Sequence, residues 1–246
     1  MWPAAFLRGA WAISVVALMA FCLLSGCNDA PHDTDAGTGT RTSPIPEACL
    51  IGGEAPQSIP EAIARINALP RPLSVSCLVA SLPRPLSLVA TDSPFSAQPG
   101  EGVKNPRIFI LSEGLVLSVV PTGRGSRVLE FAEWVTTTRT IKGEVPFPIE
   151  GTLPEDAPYD IRFDGGGTTC SLCHRNESPA EGRPGAFVSD AMRPANGYYA
   201  PIRDLFAELD ECDWDREAER CEFLSALLDF GPVEEVTFSN EVDTFF

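Results

Sequence analysis

Cys170-Ser171-Leu172-Cys173-His174 is the stretch of this 246-residue chain whose residue types and spacing most directly imply chemistry. Two thiols in a C-x-x-C spacing can add across the two vinyl groups of a porphyrin. An imidazole directly after them is placed to ligate the iron from one face. Cys170, Cys173 and His174 are therefore the candidate cofactor-holding residues, with haem c as the cofactor and His174 as its iron ligand. Methionine coordination suits electron transfer, whereas an open position suits sensing or ligand binding.

The same residues have other uses. Cys170 and Cys173 could form a tight structural disulfide in a haem-free binding or scaffold protein. They could be a redox pair, which needs a thiolate stabilised at a helix start beside a strand. Together with His174 and Cys212 or Cys221 they could hold zinc, although adjacent Cys and His ligate jointly with difficulty and no second C-x-x-C completes the set. Classical catalysis has little to stand on. There is no GxSxG or HExxH, and outside the N-terminal region His174 is the only imidazole. An electron carrier or binding protein is expected rather than an enzyme, with no residue assigned a catalytic role.

The elements that must position this motif begin well after the N-terminus. Arg8 is followed by an apolar run from Ala10 to Leu24, about 15 residues, which is short for a bilayer span and suits a signal-peptide core. Residues 28–46 are mostly Asp, Thr, Gly, Ser and Pro, a composition that buries too little to fold and reads as a tether. The chain carries 18 basic and 34 acidic residues, net −16, and loss of Arg8 with a signal peptide makes this −17. Such a charge argues against nucleic acid as a partner and favours basic ones.

Residues 58–69 read as a helix with Ser58 and Glu61 at capping-box spacing, stopped by Pro70. The near repeat Leu69-Pro70-Arg71-Pro72-Leu73-Ser74 and Leu82-Pro83-Arg84-Pro85-Leu86-Ser87 predicts two extended segments, each entered through prolines. Apolar runs at 107–111, 115–120, 127–135 and 140–149, separated by glycine-containing breakers, predict a mainly antiparallel sheet. Residues 201–212 and 215–230 predict two helices, the second stopped by Gly231-Pro232. Residues 234–238 predict a last strand. The acidic group Asp213, Asp215, Glu217 and Glu219 lacks EF-hand spacing and suits a helix start. The fold class is thus α+β, a mainly antiparallel sheet domain followed by a small helical segment containing the CxxCH motif.

Leu24-Ser25-Gly26-Cys27 resembles the lipobox of bacterial lipoproteins. The resemblance implies cleavage before Cys27, acylation of its thiol, and anchoring to the lipid bilayer of the cell envelope, with Asn28 favouring the outer membrane. With that cleavage and the composition and element pattern above, the chain divides into a signal peptide (1–26), a tether (27–46), a sheet-rich domain (47–164) and a haem-like segment with two helices (165–246). It also leaves Met192 as the one methionine of the mature protein. Of the eight cysteines, Cys22 and Cys27 are then set aside, and the other six live where disulfides persist. Six cysteines allow fifteen pairings. The expected disulfides join neighbours, Cys49 with Cys77 and Cys212 with Cys221, leaving Cys170 and Cys173 for haem.

Residues 165–231 resemble c-type cytochromes through the five residues Cys170 to His174. The resemblance implies thioethers at Cys170 and Cys173, a proximal His174, a methionine on the other face that only Met192 can supply, and a periplasmic redox partner. Gly165-Gly166-Gly167 precedes the motif where the family has a helix. Phe187, Tyr198 and Tyr199 are candidates for lining the site, and Arg175, Arg183 and Arg193 for pairing with propionates. The stretch from the Leu-Pro-Arg-Pro-Leu repeats through Phe109 also resembles uncharacterised exported bacterial proteins with a CxxCH farther on, which adds no activity.

Overall fold

Ser58 begins the first helix as its spacing to Glu61 predicts. The Ser58 side chain accepts the Glu61 N–H, and the Glu61 carboxylate accepts the N–H of Gln57, so two amides at the start of α1 (Ile59–Ala68) are satisfied. Ile59, Ala62, Ile63 and Ile66 form its buried stripe. The computed structural model describes residues 44–163 and 166–244. The signal peptide, Cys27 and all of the tether before Pro44 lie outside the described residues. The described residues form one compact unit, and no helix among them is long and apolar enough to cross a membrane.

The two Leu-Pro-Arg-Pro-Leu copies part ways. The second leads into a strand, β1 (Leu86–Thr91), as predicted, but the first leads into a helix, α2 (Val75–Ser81). Ser74 caps this helix by accepting the Cys77 N–H at 3.1 Å, whereas Ser87, its counterpart in the second copy, lies within β1 opposite Leu111, so the shared serine does not itself choose between the two outcomes. All seven residues of α2 are buried, so the sequence shows no one-sided pattern there. The two arginines nevertheless do the same work. Arg71 Nη1 donates to the carbonyls of Ile66 and Leu69 at the end of α1, and Arg84 donates to those of Ala226 and Leu227 in the last turn of α4 (Ala218–Leu228). Helix C-termini leave carbonyls unpaired and carry partial negative charge, which a guanidinium satisfies on both counts.

The sheet is built from β1, β2 (Arg107–Leu111), β3 (Leu115–Val119), β4 (Val128–Thr136), β5 (Arg139–Pro146), β6 (Ser178–Pro179), β7 (Phe187–Asp190), β9 (Tyr199–Ala200) and β10 (Val233–Glu235). Its order is β10-β1-β2-β3-β4-β5-β7-β6, with β9 also on β1, and every pairing is antiparallel except β10 with β1. Strand periodicity gives it two different faces. Leu88, Ile108, Ile110, Leu117, Val119, Leu129, Phe131 and Val145 join the main core together with the helices. Val89, Phe109 and Val116 start a second, smaller cluster on the opposite face with Phe238.

The expected disulfides are formed. Cys49–Cys77 ties the turn at Glu47–Cys49 to α2, and Cys212–Cys221 ties the segment after α3 (Ile202–Asp210) to α4. The protein mixes α and β around a large, mainly antiparallel sheet. The CxxCH motif lies outside its helical part: it occupies one 3-10 turn, Thr169–Leu172, and is followed by strands, including β8 (Met192–Arg193) paired with β11 (Asp243–Thr244). Gly166 and Gly167 at positive φ before it and Asn176 at positive φ after it bound this turn on both sides. Strands from both sides of residue 165 share one sheet, since β7 pairs β5 and β9 and β10 pair β1.

Candidate functional site

The 3-10 turn begins at Thr168, a buried residue whose hydroxyl accepts the Cys170 N–H. Glu177 clasps the same threonine, accepting its backbone N–H at 2.8 Å and its hydroxyl. The N–H groups of Cys173 and His174 both donate to the carbonyl of Cys170, so the two cysteines and the histidine lie on a single turn of chain. Cys170 and Cys173 are free thiols; Cys173 is exposed and Cys170 partly buried. The structural disulfide considered for this pair is absent from the structure.

Asp190, at the end of β7, fixes the other side of the motif. Its carbonyl oxygen lies 2.9 Å from His174 Nδ1, its N–H donates to the Arg175 carbonyl, and its carboxylate accepts from Asn176 Nδ2 at 2.6 Å. Because the contact is to a carbonyl, Nδ1 carries the proton and donates, which leaves Nε2 with its lone pair. Burial, and secondarily the positive charge of Lys142, holds the imidazole neutral by pushing its pKa down to about 3.

These residues border a cleft of about 610 Å³ on the second face of the sheet, within the range of small-molecule and cofactor sites. Cys170, Cys173, His174 and Met192 all line it. The apolar part of its wall comes from Phe109, Val116, Ala132 and Trp134 on the sheet and from Phe238 and Val242 in the C-terminal segment. Phe238 stands edge-on to Phe109 with ring centroids 5.2 Å apart.

A polar patch on β2 to β5 completes the lining. Arg107 Nη2 pairs with Glu130 at 2.5 Å, its Nε donates to Ser118 at 2.6 Å, and its guanidinium lies 4.7 Å from the centre of the Phe109 ring. Lys142 is buried and donates to Thr140 Oγ1. Burial lowers its pKa to about 8, opposed by the nearby Cys170 and Glu130. Burial also pushes the Cys170 thiol up to about 11 and raises the Glu144 carboxyl, with Glu130 adding to the latter.

The structure thus brings together the four residues assigned to the cofactor from sequence. The accessory assignments fare differently. Arg193 lines the cleft, whereas Arg175 does not and Arg183 is paired with Glu133 at 2.7 Å. Phe187, Tyr198 and Tyr199 are absent from the lining, whose aromatics are Phe95, Phe109, Phe131, Trp134 and Phe238. Phe187 on β7 and Tyr199 on β9 lie beyond β5 and β1, to either side of the cleft's floor on β2 to β5, and Tyr198, in the turn before β9, stands edge-on to Phe95. Lys142, Arg107 and Glu130 were not picked out from the sequence, yet the alternations Glu130-Ala132-Trp134 and Thr140-Lys142-Glu144 carry the signal of a second, partly polar face.

The rival chemistries meet specific obstacles. In a thiolate-based redox pair the attacking cysteine needs a lowered pKa, a role that the buried, raised Cys170 thiol does not suit. The zinc set needs Cys212 or Cys221, and those two are bonded to each other. Among the described residues, no cluster of three or more His, Cys, Asp and Glu side chains could hold a bare metal ion. A haem brings four nitrogen ligands of its own and asks the protein for one or two. The residues lining the cleft fit that demand: two unpaired thiols, a neutral imidazole with Nε2 available, a thioether and an aromatic wall. No protein-family model, curated protein or solved structure matches the chain.

Proposed function

We propose that this protein is a lipid-anchored cell-envelope protein that carries one covalent c-type haem in the cleft on the second face of its sheet and uses it for electron transfer. The observation that carries this reading is the meeting of the C-x-x-C-H turn and Met192 at one cleft, with His174 Nδ1 tied to the Asp190 carbonyl. Cys170 and Cys173 would hold the porphyrin through thioethers, His174 Nε2 would face the iron, and Met192 would supply the second ligand. When bound, the group would supply a one-electron couple, with His174 and Met192 as the residues that would hold its iron and tune its potential.

The chain's own contribution is positional. The Asp190 carbonyl fixes the imidazole tautomer and orientation. Phe109, Trp134 and Phe238 make one wall apolar, and Arg107 is paired with Glu130 in the polar part. Acylation of Cys27 would place this unit at the envelope membrane, at the end of the tether. A redox partner in the periplasm with a basic surface would complement the net charge of −17 on the mature chain.

The test is a pyridine haemochrome spectrum of the denatured protein, expressed with its signal peptide in a host that has the cytochrome c maturation machinery. A c-type band that stays with the polypeptide, and is lost on His174→Ala or on substitution of both Cys170 and Cys173, is the expected result. Absence of that band, with control cytochromes intact, overturns the reading.

That outcome would favour a haem-free binding lipoprotein stapled by Cys49–Cys77 and Cys212–Cys221. The observation behind this second reading is the cleft itself, which is apolar on one wall and charged on the other and therefore suits an amphipathic ligand.

A further inference from the structure

Met192 sits in the shortest kind of strand, and what holds it there is the far end of the chain. The sheet grips the backbone only up to Ala191, whose N–H donates to the Thr138 carbonyl. From Met192 onward the strand partner is β11, with Asp243 opposite Met192 and Thr244 opposite Arg193 in parallel register. Arg193 Nε donates to the Val242 carbonyl at 2.9 Å, and Arg193 Nη1 donates to Asn196 Oδ1 at 3.0 Å. A methionine side chain has three rotatable bonds and no strong preference of its own, so the placement of its backbone decides where the sulfur can reach.

The segment leading into β11 is itself fastened to the cleft side of the sheet. After β10, the Val236 N–H donates to the Leu88 carbonyl. Phe238 is buried against Phe109, and Val242 is 2% exposed. Phe238 and Val242 both line the cleft beside Met192. Residues 236–244 therefore run as a strap from the β1 edge, across Phe109, to Met192.

We infer that this strap is the positioning element for Met192: by pairing with β8 and anchoring through Phe238 and Val242, it sets whether the group in the cleft gains a second side-chain ligand. The inference rests on the haem reading for its consequence, but its mechanical part concerns the chain alone. Unfastening the strap frees Met192 while leaving the turn at 168–174, held by Glu177 and Asp190, in place.

Two variants test this, Val242→Asp at the β8 end and Phe238→Ala at the sheet end, each compared with the parent and with Met192→Ala. The first readout needs no haem. Amide hydrogen exchange at Met192 and Arg193 should accelerate by about tenfold or more in either variant, with the β3 and β4 amides unchanged. The second readout uses the haem-loaded protein. Per attached haem, as counted by pyridine haemochrome, the long-wavelength absorption band of methionine-ligated ferric haem should fall toward that of Met192→Ala.

Unchanged exchange at Met192 and Arg193 in both variants overturns the strap. So does an unchanged methionine band in variants whose exchange has accelerated. If Val242→Asp also loosens β3 and β4, the milder Phe238→Ala decides. Absence of haem in the parent sinks the haem reading separately, and the exchange arm still decides whether the strap holds Met192.

Discussion

His174 Nδ1 lies 2.9 Å from the carbonyl oxygen of Asp190, sixteen residues later in the chain. This one contact links the motif to β7 and thereby to the sheet, since β7 pairs with β5. It also selects the tautomer in which Nε2 is the free nitrogen.

The neutral imidazole of His174 has a measurable acid signature in the haem-free protein. Its pKa falls from 6.5 to about 3 on folding, chiefly through burial. Between those values the unfolded chain holds a proton here that the folded chain does not, so unfolding takes up protons. The associated stability is fully present above pH 6.5 and is lost as pH falls toward 3, with a slope of at most about 1.4 kcal/mol per pH unit. Urea midpoints measured from about pH 4 to about pH 7 should show a shallower acid loss in His174→Gln than in the parent. Equal slopes would mean that the imidazole is as easily protonated in the fold as outside it.

The two motif thiols should react very differently before any haem is attached. Cys173 is exposed, whereas Cys170 is partly buried with its thiol pushed up to about 11. At neutral pH only about one Cys170 in ten thousand is then a thiolate, the nucleophilic form. Brief treatment of the native, reduced protein with iodoacetamide, followed by peptide mass mapping, should label Cys173 and spare Cys170. Labelling at similar rates would contradict the burial of Cys170 against the sheet.

Much of the fold could be read from local chemistry. Ser58 and Glu61 announce α1, the four apolar runs between 107 and 149 become β2 to β5, and the six remaining cysteines sort into two bonded pairs and one free pair. Elements decided by surroundings were harder to read. Residues 75–81 become a helix buried on every side while the second copy runs into the strand 86–91, although both copies end in the same serine, Ser74 and Ser87, so the surroundings make the difference. Cys170, Cys173 and His174 could be singled out as candidates from type and spacing because two thiols and an imidazole are rare together, and all three line the cleft. The cleft's walls could not, because Phe109, Lys142 and Phe238 meet only when three distant segments share one face of the sheet.

Glu177 is predicted to govern the shape of the motif turn. Its carboxylate holds both the N–H and the hydroxyl of Thr168, and that hydroxyl in turn caps Cys170. Hydrogen bonds to a charged acceptor contribute about 1.5–3 kcal/mol. Glu177→Ala should therefore raise local exchange at the Cys170 and Ser171 amides while leaving the β2 to β4 ladder protected. In a haem-maturing host, it should lower the yield of attached haem. Exchange rates unchanged at residues 170 and 171 would show that the turn holds its shape without the clasp.

The two disulfides should contribute unequally, in the order of the loops they close. Cys49–Cys77 spans 28 positions and Cys212–Cys221 spans 9. On chain-entropy grounds, cross-links of these lengths stabilise by about 3.5 and about 2.5 kcal/mol respectively. Their positions sharpen the contrast. Cys49 and Cys77 are both buried in the main core, so replacing them by alanine removes two packed sulfurs, whereas in the other pair Cys221 is buried and Cys212, after α3, only partly so. Chemical denaturation of Cys49→Ala/Cys77→Ala should show the larger fall in midpoint, and Cys212→Ala/Cys221→Ala the smaller. A reversed order would place the decisive constraint at the junction of α3 and α4, and would mean that α2 keeps its place by packing without the cross-link to the turn at Glu47–Cys49.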